Sequence, residues 1–162
     1  MKAEDQLTEA VQQGNRDLAR QALQNGADVN ARFRSATALW WACQEGHLDI
    51  ARLLINRGAD INAKDDEGFT PLAQAVGESH LDLVRCLIES GANPNQISNE
   101  AEGGTPLHTA CADGLAVCAE LLLSLGADTT LKDRNGRAPS TLASVYGHNQ
   151  LAEAVEKWRR QP

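Results

Sequence analysis

The tripeptide Gly-Ala-Asp/Asn occurs four times, at Gly26-Ala27-Asp28, Gly58-Ala59-Asp60, Gly91-Ala92-Asn93 and Gly126-Ala127-Asp128. The glycines are 32, 33 and 35 residues apart. A second landmark keeps the same phase: Thr37-Ala38-Leu39-Trp40, Thr70-Pro71-Leu72-Ala73 and Thr105-Pro106-Leu107-His108, continued by Ala138-Pro139. A third is Gly46-His47 and Gly147-His148, with Ser79-His80 and Gly114-Leu115 in register between them. A period of this length means small units that cannot each bury their own apolar face and must stack. Within one unit, Thr37 can cap a helix carrying Leu39, Trp41, Ala42 and Cys43, which Gly46 ends. His47 opens a second helix with Leu48, Ile50, Ala51, Leu53, Leu54 and Ile55, closed by Gly58. Helices of about ten residues are too short to persist alone in water, so their apolar stripes need neighbours.

These landmarks resemble the ankyrin repeat: a Thr-Pro-Leu-His turn, a short helix, Gly-His, a second helix and Gly-Ala-Asp-Val-Asn. Gly26-Ala27-Asp28-Val29-Asn30 and Thr105-Pro106-Leu107-His108-Thr109-Ala110 match almost letter for letter. The resemblance implies an all-α ankyrin-repeat solenoid, with helix-turn-helix pairs joined by β-hairpin-like loops. It implies one domain over 4–160, with repeats at about 4–31, 32–64, 65–97, 100–132 and 133–160. The outer repeats carry polar residues at apolar positions. Arg16 and Gln21 stand where the second repeat has Leu48 and Leu53; in the last, Ser140 stands where inner repeats have Leu39, Leu72 and Leu107, and Asn149 where the second has Leu48. A complete small solenoid is therefore expected.

Composition narrows the function. Net charge is −7, which disfavours nucleic acid and anionic lipid as partners. The start, Met1-Lys2-Ala3-Glu4-Asp5-Gln6, is polar, and no apolar run nears the ~18–20 residues that span a bilayer. A cytoplasmic monomer with no membrane contact is expected. Cys43 and Cys111 share one repeat position two repeats apart, beyond disulfide reach, and Cys86 and Cys118 fall at apolar positions. All four read as buried small hydrophobes in a reducing compartment, with no zinc or other metal site. The resemblance gives His47, His80 and His148 the task of bonding the backbone of neighbouring turns, and makes His108 part of the turn motif. No phosphate loop, Gly-x-Ser-x-Gly or His-Glu-x-x-His occurs, so neither an enzyme nor a bound cofactor is expected.

Departures from the repeat are the candidates for function. Trp40 and Trp41 follow a hairpin holding Arg32, Phe33 and Arg34. One reading packs Trp41 between repeats and lays Trp40 over the turn. The other makes an aromatic and arginine patch, since Trp and Arg are enriched at binding hot spots. Before Thr105, Asn99-Glu100-Ala101-Glu102-Gly103-Gly104 lengthens one hairpin by two residues, with glycines that would let it adapt. The hairpins run from Arg32 and Arg34, through Asp65, Asp66 and Glu67, then Glu100 and Glu102, back to Arg134 and Arg137. Such a face would suit a partner with a central basic patch. By register, the partner-binding residues are expected to be Arg32, Phe33, Arg34, Trp40, Gln44 and Glu45, then Asp66, Glu67, Phe69 and Glu78, then Ala101, Glu102, Gly104 and Asp113. The expected function is non-catalytic binding of another protein on the concave hairpin/first-helix face. The alternative is an inhibitor or immunity-type regulator of a neighbouring enzyme that uses the same face.

Overall fold

The computed structural model describes residues 2–98 and 103–159. Among them are ten helices and one two-stranded hairpin, arranged as two compact units, residues 1–92 and 93–162.

The first unit holds three helix pairs: α1 (Ala3–Gln12) with α2 (Arg16–Gln24), α3 (Ala38–Gln44) with α4 (Leu48–Asn56), and α5 (Pro71–Gly77) with α6 (Leu81–Glu89). Strands β1 (Arg32–Phe33) and β2 (Ala36–Thr37) form a hairpin leading into α3. First helices pack on first helices, α3 touching both α1 and α5, and α4 likewise touches α2 and α6. Leu39, Ile50, Leu54, Leu72, Leu83 and Leu87 are fully buried between these layers. The second unit pairs α7 (Pro106–Ala112) with α8 (Ala116–Ser124) and α9 (Pro139–Val145) with α10 (Asn149–Arg159); α7 packs on α9, and Leu107 of α7 and Leu122 of α8 are fully buried. Truncating any of these leucines to alanine would cost roughly 2–5 kcal/mol.

Local chemistry explains where each helix begins. The Thr37 and Thr70 hydroxyls accept the amides of Trp40 and Ala73 at 3.4 and 3.1 Å. Pro71, Pro106 and Pro139 occupy first-turn positions, where a missing N–H costs nothing. Asparagine side chains then clamp successive turns together. Asn30 Nδ2 donates to the Gly58 carbonyl at 3.3 Å, and its Oδ1 accepts the Asp60 amide at 2.7 Å. In the second unit, Asn95 does the same to Gly126 and Asp128, at 3.2 and 2.8 Å. The Gly-Ala-Asp repeat is thus a hydrogen-bonding register as well as a helix stop.

Of the histidines that open second helices, His80 and His148 bond as expected for a framework. Each carbonyl partner can only accept, so His80 Nε2 donates to Gln44 O at 3.1 Å and His148 Nε2 to Ala112 O at 3.1 Å. Glycine at the preceding turn makes room. A Cβ on Gly46 would lie 2.9 Å from the His80 ring, and one on Gly114 would lie 2.5 Å from the His148 ring.

Two expectations are corrected here. Gly103 and Gly104 were expected to loosen the long hairpin, but they are held tightly. Gly103 is buried with the Arg134 side chain over it, and Gly104 O accepts both the amide and the hydroxyl of Ser98, at 2.9 and 3.0 Å. A Cβ on Gly104 would sit 2.7 Å from the His108 Cβ, at the stiff root of a buried side chain. Gly104→Ala is therefore expected to destabilise the protein by about 1–3 kcal/mol, read as a lower urea midpoint at unchanged slope. Cys86 is the second correction: it is half-exposed, whereas Cys43, Cys111 and Cys118 are buried. Burial pushes the Cys111 and Cys118 thiols up to about 12 and 11, and raises that of Cys43 further still.

Candidate protein-binding face

In the first unit, the β1–β2 hairpin pairs Arg32 with Thr37 and Phe33 with Ala36, leaving a two-residue tip of Arg34 and Ser35. A two-residue hairpin needs a positive φ at its tip, and Arg34 supplies it at 55°. Glycine would be at ease there, but a side chain costs roughly 1 kcal/mol. Phe33 stacks on Trp41 with ring centroids 5.6 Å apart and planes 19° apart. Trp41 Nε1 donates to Phe33 O at 3.3 Å, fixing the indole to the hairpin backbone. The Arg34 guanidinium lies 5.9 Å from the centre of the Trp41 ring.

Trp40 is not part of this surface. It is only 7% exposed, meets Trp41 edge-on at 5.0 Å, and its indole N–H has no partner among the described residues. The expectation of Trp40 as a contact residue is corrected. Its position is the buried one of the turn motif, where His108 is 2% exposed, and Trp41 carries the half-exposed ring.

Arg32 is occupied by the next turn. It donates to Lys64 O at 2.6 Å and to Ser35 O, and pairs with Asp66 at 2.6 Å. Both partners are well exposed, so the ion pair contributes about 0–1 kcal/mol and serves mainly to position the hairpin. Asp65 Oδ1 accepts the Glu67 and Phe69 amides at 3.0 and 2.8 Å, which shapes the following turn. That leaves Asp66 and Glu67 exposed and Phe69 half-buried. On the first helices of this unit, Gln44 is half-buried, while Glu45 and Glu78 are exposed.

The second unit contributes differently. Ala101 and Glu102, with Glu100, lie outside the described residues. Gly104 is half-buried under the constraint given above, and Asp113 is exposed. Arg137 is no free surface charge, because its Nε donates to Asp133 at 2.7 Å. The Asp133 side chain has no exposure, and burial alone would raise its pKa. The Arg137 amide, the Arg137 guanidinium and the Asn135 amide outweigh burial and hold the carboxyl below its ordinary value.

Register reasoning missed Val145 and Tyr146, which are 62% and 51% exposed at the end of α9. They occupy the positions of Gln44 and Glu45, so the repeat alignment itself could have found them. Val117, 64% exposed, likewise replaces an acidic residue, standing where Asp49 and Asp82 stand in the first unit. A surface groove of the first unit, lined by Leu48, Arg52, Ile55, Arg85, Cys86 and Glu89 among others, runs along α4 and α6 and shares no residue with the hairpin face. Among the described residues no group of three or more His, Cys, Asp or Glu is placed to hold a metal, and no helix is long and apolar enough to cross a membrane.

A family model for ankyrin repeats, three copies long, matches residues 7–98, and a single-repeat ankyrin model matches residues 102–134. The chain belongs to the ankyrin-repeat family. It is similar to mouse ankyrin repeat and SOCS box protein 16, 41% identical over 130 residues, 80% of this chain and 28% of that protein. It is also similar to human ARF GTPase-activating protein GIT1, 46% identical over 54 residues, 33% of this chain and 7% of that protein. The Arabidopsis thaliana ADP-ribosylation factor GTPase-activating protein AGD2 is 34% identical over 68 residues, 42% of this chain and 9% of that protein. The chain thus spans under a tenth of the GTPase-activating relatives and about a quarter of the SOCS box protein. Ankyrin repeats are protein-interaction modules, and they are what this chain shares with its relatives.

Proposed function

We propose that this ankyrin-repeat protein is a non-catalytic module that holds a partner protein on its hairpin/first-helix face. The observation that carries the reading is the Phe33–Trp41–Arg34 stack. Framework residues are explained by folding, as the bonds of His80, His108 and His148 illustrate, whereas two half-exposed stacked rings and an exposed arginine on a hairpin tip are not. Rigid aromatic area with an adjacent guanidinium is the composition of a binding hot spot. Around it, Arg32, Gln44, Glu45, Asp66, Glu67, Phe69 and Glu78 complete the face on the first unit. On the second unit, the contact residues expected by register are Gly104, Asp113, Ala101 and Glu102, and Val145 and Tyr146 are exposed there as well.

The partner is a protein and not nucleic acid, in keeping with a net charge of −7. Four free cysteines favour a reducing, cytoplasmic setting, and the protein acts as a monomer. Affinity purification of the full chain from its native host, with mass spectrometry, names the partner. Repeating the capture with Phe33→Ala/Glu67→Lys tests the face, and equal recovery by both proteins rules this face out. Assay of any copurified enzyme, with and without the chain, separates a scaffold from an inhibitor.

A further inference from the structure

We propose that Arg34, laid on the Trp41 indole at the hairpin tip, receives a carboxylate side chain of the partner, while an apolar neighbour of that carboxylate seats on Phe33. The proposal rests on the protein-binding reading above and specifies its chemistry. Arg34 is exposed, and its guanidinium makes no hydrogen bond or ion pair with any described residue; its contact is the indole face at 5.9 Å. The neighbouring arginine of the same hairpin, Arg32, is already used by Lys64, Ser35 and Asp66. On the next turn, Asp66 is paired with Arg32 and Asp65 Oδ1 accepts the amides of its own turn. The Arg34 donors are thus open to a carboxylate brought by the partner.

The indole restricts the guanidinium without consuming its donors. An arginine stacked on a ring keeps its planar fork and loses little further freedom when a carboxylate arrives. Trp41 is itself anchored by its bond to Phe33 O and by its stacking on Phe33, so the platform is in place before binding. The backbone supports the same assignment. A left-handed φ of 55° at a hairpin tip suits glycine, yet the position holds an arginine, so this side chain is kept where folding alone disfavours it. Phe33 offers the apolar half of the site beside the charged half.

The test uses the full-length protein and immobilised short peptides of one backbone, in which a single position beside a fixed leucine is Glu, Gln, Lys or phosphoserine. Binding is followed by intrinsic tryptophan fluorescence in solution and by retention on the array. Wild type is expected to retain the Glu peptide at least about 10-fold better than the Gln or Lys peptide, since a charge-assisted bidentate contact is lost in each. Arg34→Gln and Arg34→Gly should both lose this preference, and Arg34→Lys should recover it only in part. Arg34→Gly removes the positive-φ strain, so it should melt no lower than wild type, which separates loss of binding from loss of folding. Preference for Lys or phosphoserine over Glu, no retention of the Glu peptide, or unchanged retention by Arg34→Gly would each overturn the assignment. If the peptides stay bound to Arg34→Gly but are lost on Glu67→Lys, the binding face stands and only the Arg34 assignment falls.

Discussion

His108→Ala is expected to lower the unfolding free energy by about 3 kcal/mol at neutral pH. The ring is 2% exposed, and both of its nitrogens are used. Nδ1 accepts the Thr105 amide at 3.1 Å and lies 2.8 Å from the Thr105 hydroxyl, closing the cap of α7. Nε2 donates to Arg137 O at 3.1 Å, joining α7 to the turn before α9. Alanine would leave a cavity and strand the Thr105 amide, the latter costing about 1–3 kcal/mol, whereas Arg137 O would keep the Asp133 amide at 2.9 Å. The loss should also depend on pH. Burial lowers the His108 pKa; the Arg137 carbonyl and Asp133 raise it, the Arg137 charge lowers it, and the net shift is downward. A folded-state value below the unfolded one means the unfolded chain takes the proton first as pH falls through about 6.5. The contribution of His108 is thus fully present above that pH and shrinks below it. Urea unfolding at about pH 7.5 and about pH 5 should give a smaller difference between wild type and His108→Ala at the lower pH. An equal difference at both would mean the ring is not held neutral.

Phe33→Ala combined with Glu67→Lys is expected to weaken the captured partner about 100-fold, or roughly 2.7 kcal/mol. Removing the Phe33 ring exposes one face of Trp41 and forfeits a stacked pair worth about 0.5–1.5 kcal/mol beyond its area, together with its own contact with the partner. Glu67 is exposed at the adjacent hairpin, so reversing its charge should act mainly on the association rate and on its salt dependence. Phe33 is half-buried and Glu67 exposed, so loss of the stack should lower the melting temperature by only about 2–6 °C, leaving the variant folded for the binding assay. Arg85→Ala, on α6 and away from the hairpins, is the matched control and should leave affinity within a factor of two or so. A double variant that binds like wild type would remove the first unit's hairpins from the interface.

The fold was legible because each landmark carries its own chemistry. Thr37 and Thr70 cap, prolines open helices, and His80, His108 and His148 find backbone carbonyls. The candidate face was less legible, since neighbouring residues on a helix differ by about 100° in direction. Trp40 and Trp41 cannot be ordered by composition, yet the register could have done so. Trp40 aligns with buried Ala73 and His108, and Trp41 with half-buried Gln74 and Thr109. Gly103 and Gly104 look like flexibility in a sequence, but here they admit the Arg134 and His108 side chains, a close approach visible only in three dimensions. Val145 and Tyr146 were passed over because the last repeat was expected to be a polar end, although its polar substitutions, such as Ser140 bonded to Glu156 at 2.5 Å, lie elsewhere on the helices.

Hydrogen exchange of the purified complex, read by mass spectrometry against the free protein, tests the binding face most directly. The account predicts added protection across residues 32–37 and 65–70 and at the ends of α3 and α5, with α4 and α6 unchanged. Protection confined to α4 and α6 would place the partner on the outer helices and contradict it.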